Sequence, residues 1–587
     1  MSFFQELKRR NVFRVAIAYI IVSWLLLQVA DTLAPALRLP EWFQSGVAFV
    51  LILGFPLAMI FAWAFELTPE GVKLEKQVDR TESITSQTGQ KLNVTIITLL
   101  VVAVAYLAFD KFMPGEDAAD TVTLATAEPS IAVLPFTNMS DDASNEFFAD
   151  GITEELLNLL AKIPELEVTS RTSAFQFKGK EIDIPTVAKQ LNVEHVLEGS
   201  VRKAGMTVRI TAQLIDAGTD KHVWSETYDR ELDDIFAIQD EIARKVVDEL
   251  HVTLLGEAPK AQTTDAEAYT LYLEGLHYME VQGPDSWHSA RERFEAVIDA
   301  DPSYAPAWYG RARAVRALAN YGTIDLNEGT EQARKWTQHA LELDPTLAEG
   351  WALLAQICLV YDWDWDAARG YVDRALEVGP NNVSALGEAS RLYQVLGQLD
   401  RMTEYADKAL QQDPLGSLAL DWVGSTYWYR GDWDRAEEIF LKGEALHGTD
   451  FHPGNLTITM LMQGRYEEAA AKSDAIGNEY GDVAKNMNVG FTHYAVGREE
   501  EALAARQWMI DNLAGPFGYQ IAEMYAVHGD IDEAFEWLES SYDFHDGGMT
   551  YLLVDHFLEP LHDDPRWRPL LEKMNLLTYW DAMPARR

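Results

Sequence analysis

The 587-residue sequence predicts a multidomain chain of α/β plus all-α class, with three transmembrane helices, a small α/β domain and an α-solenoid of helical hairpins. Three observations carry that expectation. Uncharged apolar runs open the chain, residues 130–255 alternate between strand-like and helix-like periods, and the remainder repeats at a spacing near 34 residues. A chain of this length exceeds what one hydrophobic core supports, so several units are expected.

Residues 15–30, 42–65 and 92–109 carry no charged side chain. Each run approaches the ~20 residues that a helix needs to cross a bilayer. They predict an anchor over 1–112, with spans at about 14–34, 44–65 and 92–110. Lys8, Arg9, Arg10 and Arg14 precede the first run, and Lys73, Lys76, Arg80 and Lys91 lie between the second and third. The other flank offers Arg38 and Lys111. Because cations near spans stay on the cytoplasmic side, this pattern predicts a multi-pass inner-membrane protein of a Gram-negative bacterium. Its amino terminus would be cytoplasmic and the residues after about 111 periplasmic. Residues 113–129, small and acidic, read as a flexible linker.

In residues 130–255, IAVLPF suits a buried strand, and the following helical pattern offers Phe147, Leu156, Leu157 and Leu160 to a core. LEVTS gives a short second strand. Asp183 then caps a helix with Pro185 in its first turn and Val187, Ala188 and Leu191 on its buried stripe. Three antiparallel strands follow, turned at Ala204–Gly205 and near Gly218, before a helix with Ile235, Ile238, Ile242 and Val246 at core spacing. Asp141, Asp142 and Ser144 gather just past the first strand, a position where α/β folds often place chemistry. They equally suit the free N–H groups of a helix start. With Glu146 they form the weakest of three functional candidates, an unrecognised enzyme.

Residues 256–265 form a second linker, and 266–587 a solenoid of about eight repeats. One small-residue position of the second helices falls at Ala290, Ala333, Ala368, Met402, Ala436, Ala469, Ala502 and Ala534, at intervals of 43, 35, 34, 34, 33, 33 and 32. Gly397, Gly431, Gly464, Gly497 and Gly529 lie five residues before that position, and Pro302, Pro345, Pro380 and Pro414 lie twelve after it. Glycine ends the first helix of a pair and proline follows the second, the mechanics of tetratricopeptide repeats. A hairpin cannot bury its apolar face alone, so neighbours stack and the first helices line an inner surface suited to a peptide. Arg391, Asp421, Trp428 and Tyr429 are placed on that surface.

Charge and motif content narrow the function. The chain holds 48 basic and 92 acidic residues, for a net charge of −44. Since 38 basic and 83 acidic residues lie beyond residue 112, that part repels a phosphate backbone, and nucleic acid is not an expected partner. Cys358 is the single cysteine and reads as a packing residue. HExxH, GxxxxGK[ST] and GxSxG are absent, so no catalytic residue and no cofactor are assigned. His545, Asp546, His562 and Asp563 show no diagnostic metal spacing, and no metal is assigned. Arg171, Arg202 and Arg209 are candidates for an anionic ligand, with cross-strand pairing to Glu198 and Glu226 as the structural alternative.

The stretches ELKRRNVFRVAIAYIIVSWLLLQVAD, AWAFELTPEG, SIAVLPFTNMS, FADGITEELLNLLAKIPELEV, RTSAFQFKGK, VLEGSVRKAG and IFAIQDEIA resemble bacterial membrane proteins that combine a TolB amino-terminal-like domain with tetratricopeptide repeats. That resemblance implies a signalling context, since relatives often carry an adenylate cyclase or winged-helix domain ahead of the membrane segment. The short amino-terminal segments here match neither module, so cyclase activity and DNA binding are not carried over. The leading expectation is a non-enzymatic membrane scaffold or sensor that binds proteins or peptides, with self-association as a further option. The alternative is a signalling component whose TolB-like domain senses a small ligand and regulates a separate enzyme or regulator.

Overall fold

The computed structural model describes residues 129–252, 260–281, 283–448, 451, 454–477 and 481–583, with Tyr19, Ser23, Leu51, Gly54, Phe55, Phe65–Thr68 and Gly71–Leu74. The three predicted membrane spans are corrected here. Among the described residues no helix is long and apolar enough to cross a membrane. A span requires an unbroken helix of ~20 residues, with every backbone group bonded inside it. The described positions within the expected spans are isolated ones, and most of 14–34, 44–65 and 92–110 lies outside the described residues. At Phe65, where the second span was expected to end, the chain is extended: β1 (Phe65–Thr68) pairs antiparallel with β2 (Gly71–Leu74). The inner-membrane, periplasm-facing localisation rested on those spans and falls with them.

From Pro129 onward the chain first builds a mixed sheet. β3 (Ser130–Val133) is flanked in parallel by β5 (Glu167–Val168) and β6 (His195–Ala204), and β4 (Thr137–Asn138) also pairs β6. β7 (Thr207–Asp216) and β8 (Lys221–Glu231) continue it antiparallel, giving the order β5-β3-β6-β7-β8. Alternation sends Leu197, Val201, Val208, Ile210, Ala212 and Leu214 to one face, where they bury against α1 (Glu146–Ala161). The helices α2 (Arg171–Ala174) and α3 (Ile184–Leu191) follow β5. Asp183 caps α3 as its sequence predicts, accepting from the Thr186 N–H at 2.9 Å. Val187, Ala188 and Leu191 cover Ala132 and Val196 on the opposite face. α4 (Ile235–Glu249) closes the domain, with Ile235, Ile238, Ile242 and Val246 fully buried.

The helical part is a run of antiparallel pairs: α5 (Ala266–Glu280) with α6 (Pro284–Ala300), α7 (Ala305–Asn320) with α8 (Leu326–Leu343), α9 (Ala348–Ile357) with α10 (Trp365–Val378), and α11 (Val383–Val395) with α12 (Leu399–Gln412). It continues as α13 (Ser417–Tyr429) with α14 (Trp433–His447), α15 (Gly454–Met462) with α16 (Tyr466–Asp474), α17 (Gly481–Ala495) with α18 (Glu499–Leu513), and α19 (Gly518–His528) with α20 (Ile531–Phe544). The eight aligned small positions, Ala290 to Ala534, all fall on second helices and are buried. Gly397, Gly431, Gly464, Gly497 and Gly529 hold φ between 66° and 85°. After each glycine the next N–H returns to a carbonyl five residues back, as from Gln398 to Tyr393 at 2.8 Å. Left-handed φ is cheap only for glycine, which fixes these helix ends. Close approach fixes others: Phe294 of α6 wedges between α5 and α7, and a Cβ on Gly275 or Gly310 would come within 2.6 Å of its ring.

Two contacts depart from a free-ended spiral. The sheet domain touches the array twice, at α5 and at the α12–α13 link, where Ser170 and Ser173 donate to Asp413 and the Ser170 N–H donates to the Gln412 carbonyl at 2.8 Å. The carboxyl-terminal segment, with α21 (Trp567–Lys573) and α22 (Leu577–Ala582), folds back onto the third and fourth pairs. Trp365 Nε1 donates to the Met574 carbonyl at 2.8 Å, and Met583 lies against Gly397. Trp363 and Trp365, predicted as packed indoles of a turn, are both buried. Cys358 is buried as well, and burial pushes its thiol up to about 12.

Candidate functional site

Asp421, Trp428 and Tyr429 stand seven and eight residues apart on α13, so they share one helix face. That face lines an open-mouthed cavity of about 420 Å3 between α13, α15, α17, α19 and the segment after α20. Tyr519 and Glu523 of α19 form the opposite wall, and Tyr551, Asp555 and Phe557 of the returning segment cover it. The inner surface predicted to stand open for a peptide is thus largely occupied by the chain itself. His556 is 3.1 Å from the Tyr429 carbonyl, and Trp428 packs edge-on to the His556 ring at 5.4 Å.

The cavity is acidic and aromatic. Tyr519 O–H donates to Asp555 Oδ2 at 2.9 Å, and the Phe557 N–H donates to its Oδ1 at 2.8 Å. Asn455 donates to Asp421 Oδ1 at 2.5 Å. Glu523 is hydrogen-bonded to Asp555, and burial, then the Asp555 charge, then Asp546 nearby hold its carboxyl well above the usual carboxylate range. Burial likewise holds the Tyr429 and Tyr519 hydroxyls well above theirs. No lysine, arginine or histidine is among the lining residues. Arg391, the fourth residue expected on the inner face, lies on α11 outside the lining and is 3.2 Å from Glu388, whose charge raises it. Trp428 is 5% exposed, and its indole N–H meets no acceptor in the chain.

The three candidate arginines of the sheet domain, Arg171, Arg202 and Arg209, are not gathered into one site. Arg202 and Arg209 face each other in register across β6 and β7, on the sheet face away from α1. Their partners are Asp141, 3.2 Å from Arg202, and Asp229, 3.1 Å from Arg209 Nε, rather than Glu198 and Glu226. Asp229 stands directly opposite Arg209 in the ladder, whereas Glu226 faces Ala212. Arg171 starts α2 and reaches Glu154 at 2.9 Å and Glu280 of α5 at 2.6 Å. In the polar turn, Asp142 accepts from the Ser144 N–H at 2.9 Å, which builds the start of α1. His545 stacks on Trp363 at 4.1 Å, and Asp546 accepts from the Tyr519 and Gly548 N–H groups at 2.9 Å each. Among the described residues no three His, Cys, Asp or Glu side chains converge as metal donors.

The sequence brought Asp421, Trp428 and Tyr429 to notice through helix position. It did not reveal Glu523, Tyr551 or Asp555, because those arrive from elements far along the chain. For Tyr551 and Asp555 the local signal was the departure of residues 545–561 from the repeat pattern.

Residues 127–245 match a family model described as HilA/YgeH-like transcriptional regulator, second domain. That description stands where the sequence resemblance reads TolB amino-terminal-like. A curated relative from Rhizobium meliloti (strain 1021), "Putative adenylate cyclase 3", is 39% identical over 247 residues, 41% of this chain and 42% of the relative. The chain thus spans about two fifths of that relative's length. Among solved structures, the human IFIT1 dimer with m7Gppp-AAAA is 15% identical over 52% of this chain and 77% of that one, with a TM-score of 0.35. A thermophilic tetratricopeptide-repeat protein of Thermus thermophilus, TTC0263, is 16% identical over 35% of this chain and 99% of its own, with a TM-score of 0.29. At these scores the repeat architecture rests on the helix pairing described above.

Proposed function

We propose that this chain is a non-enzymatic scaffold that receives a segment of a protein partner at the cavity between α13, α19 and residues 545–557. The observation that carries the reading is a cavity of about 420 Å3 on the inner side of a helical-repeat array, walled by aromatic rings with a few polar groups. Binding sites commonly enclose ~300–1,000 Å3 with this mixture of surfaces. A photo-crosslinker at Leu418, which lines the cavity and is 63% exposed, is expected to capture a protein partner. Capture is expected to fall in the Trp428→Ala variant. Equal yield from a crosslinker at Tyr321, 65% exposed and outside the cavity, would reject the reading.

A second reading is supported by the HilA/YgeH-like match and the cyclase-named relative: the sheet domain serves as the regulatory contact of a separate signalling protein. A crosslinker at Met206, exposed on that domain, then captures a regulator. Capture at Leu418 alone would reject it.

A further inference from the structure

We propose that the cavity recognises an organic ammonium group, a lysine side chain of the bound segment being its leading source. This inference rests on the scaffold reading and adds the chemistry of the occupant. Asp421, Glu523 and Asp555 reach the cavity from three separate elements; no lysine, arginine or histidine is among the lining residues, and Arg391, outside the lining, lies within electrostatic reach of Asp421, Tyr429 and Tyr551. The rings of Trp428, Tyr429, Tyr519 and Tyr551 supply the rest of the wall, with Trp428 perpendicular to Tyr429 at 5.3 Å and Tyr551 within 6.4 Å of Tyr519. Ring faces attract a desolvated ammonium, and carboxylates at several sides take its N–H donors. Leu418 lines the same cavity and is 63% exposed, so a peptide backbone can continue outside while its side chain enters, which favours a lysine side chain over a bare amine.

Burial and the neighbouring carboxylates disfavour charge on Glu523. The groups facing it are Asp555, Asp546, Tyr519, Tyr429 and Tyr551, all acidic or neutral. An ammonium that binds the carboxylate must displace the Glu523 proton, so binding releases a proton and tightens as pH rises. The charge is then neutralised by the ligand.

Calorimetry on the full chain tests this with the blocked peptide Ala-Ala-Lys-Ala-Ala, its norleucine counterpart and n-butylammonium chloride. The lysine peptide is expected to bind roughly tenfold or more tighter than the norleucine peptide. Glu523→Gln and Asp421→Asn are expected to weaken it by a similar factor while leaving norleucine binding unchanged. Glutamine keeps the size and neutrality of the protonated acid, and an unaltered near-ultraviolet circular dichroism spectrum verifies its fold. Proton uptake by buffers of different ionisation enthalpy reads the linked release. If n-butylammonium binds as tightly as the lysine peptide, the ammonium chemistry stands and its source is a free amine. Equal affinity for both peptides overturns the inference while leaving the scaffold reading intact, since an apolar side chain then fills the cavity. Failure of every probe to bind also overturns it, and the crosslinking at Leu418 judges the scaffold reading separately.

Discussion

Two parts of the repeat array use nearly the same side chains to opposite ends. Where the sheet domain meets the first repeats, Glu154 and Glu155 of α1 lie beside Tyr269, Tyr272 and Tyr304, and Glu280 of α5 lies near Glu154. At the cavity, Asp421, Glu523 and Asp555 lie beside Tyr429, Tyr519 and Tyr551. The first assembly is filled, because Arg171 bridges Glu154 and Glu280, and Arg313 lies within electrostatic reach of both acids. The second is hollow and receives no lysine or arginine among its lining residues. Burying carboxylates is expensive unless a counter-charge accompanies them. At the junction a cation bridges two of the acids, whereas at the hollow the nearby Arg391 is paired to Glu388 outside the lining.

The comparison is broken most forcefully through the packing of the filled side. Phe294 is fully buried between Gly275 and Gly310, so Phe294→Ala should cost roughly 3–5 kcal/mol by chemical denaturation, since those glycines leave a cavity that backbone alone fills poorly. Next is the counter-charge itself. Arg171→Met leaves Glu154 and Glu280 without their bridge and should destabilise the chain by roughly 1–3 kcal/mol, reduced from the fully buried case because Glu280 remains 41% exposed. Adding Glu154→Gln to Arg171→Met should recover part of the loss in a double-mutant cycle.

The smallest effect is a pH dependence. Burial, with help from Glu154, pushes the Glu155 carboxyl up to about 7 from 4.5. The folded state therefore binds this proton more tightly than the unfolded state does, and the associated stability declines as pH rises from about 4.5 to about 7. Glu155→Gln removes that slope. Its melting temperature should exceed that of the parent above pH 7 and converge with it below pH 4.5, and parallel curves across this range would show that the junction does not titrate.

Much of the repeat architecture was legible because its determinants are local. A small residue, a glycine five positions earlier and a proline twelve later lie within one hairpin, as do the Asp183 cap and the alternation of β6 to β8. Part of the cavity was legible for the same reason, since Asp421, Trp428 and Tyr429 share a helix. What escaped is the return of the chain. Nothing local ties Trp365 to Met574 or Ser173 to Asp413, pairs separated by 209 and 240 residues. The membrane spans are corrected because an apolar run reports composition, whereas a span also requires a helix both long and apolar enough to cross, and the described residues contain none.

Stacked hairpins normally behave as a one-dimensional chain in which each unit senses only its neighbours. Here the seam from Ser170 and Ser173 to Asp413 joins the front of the polypeptide to its middle, while Met574 and Met583 join its tail to the same stretch. A spring clipped at such points loses its freedom to stretch coil by coil. Any occupant that widened the hollow would load both clips together, turning a local event near α19 into a tug felt at the sheet.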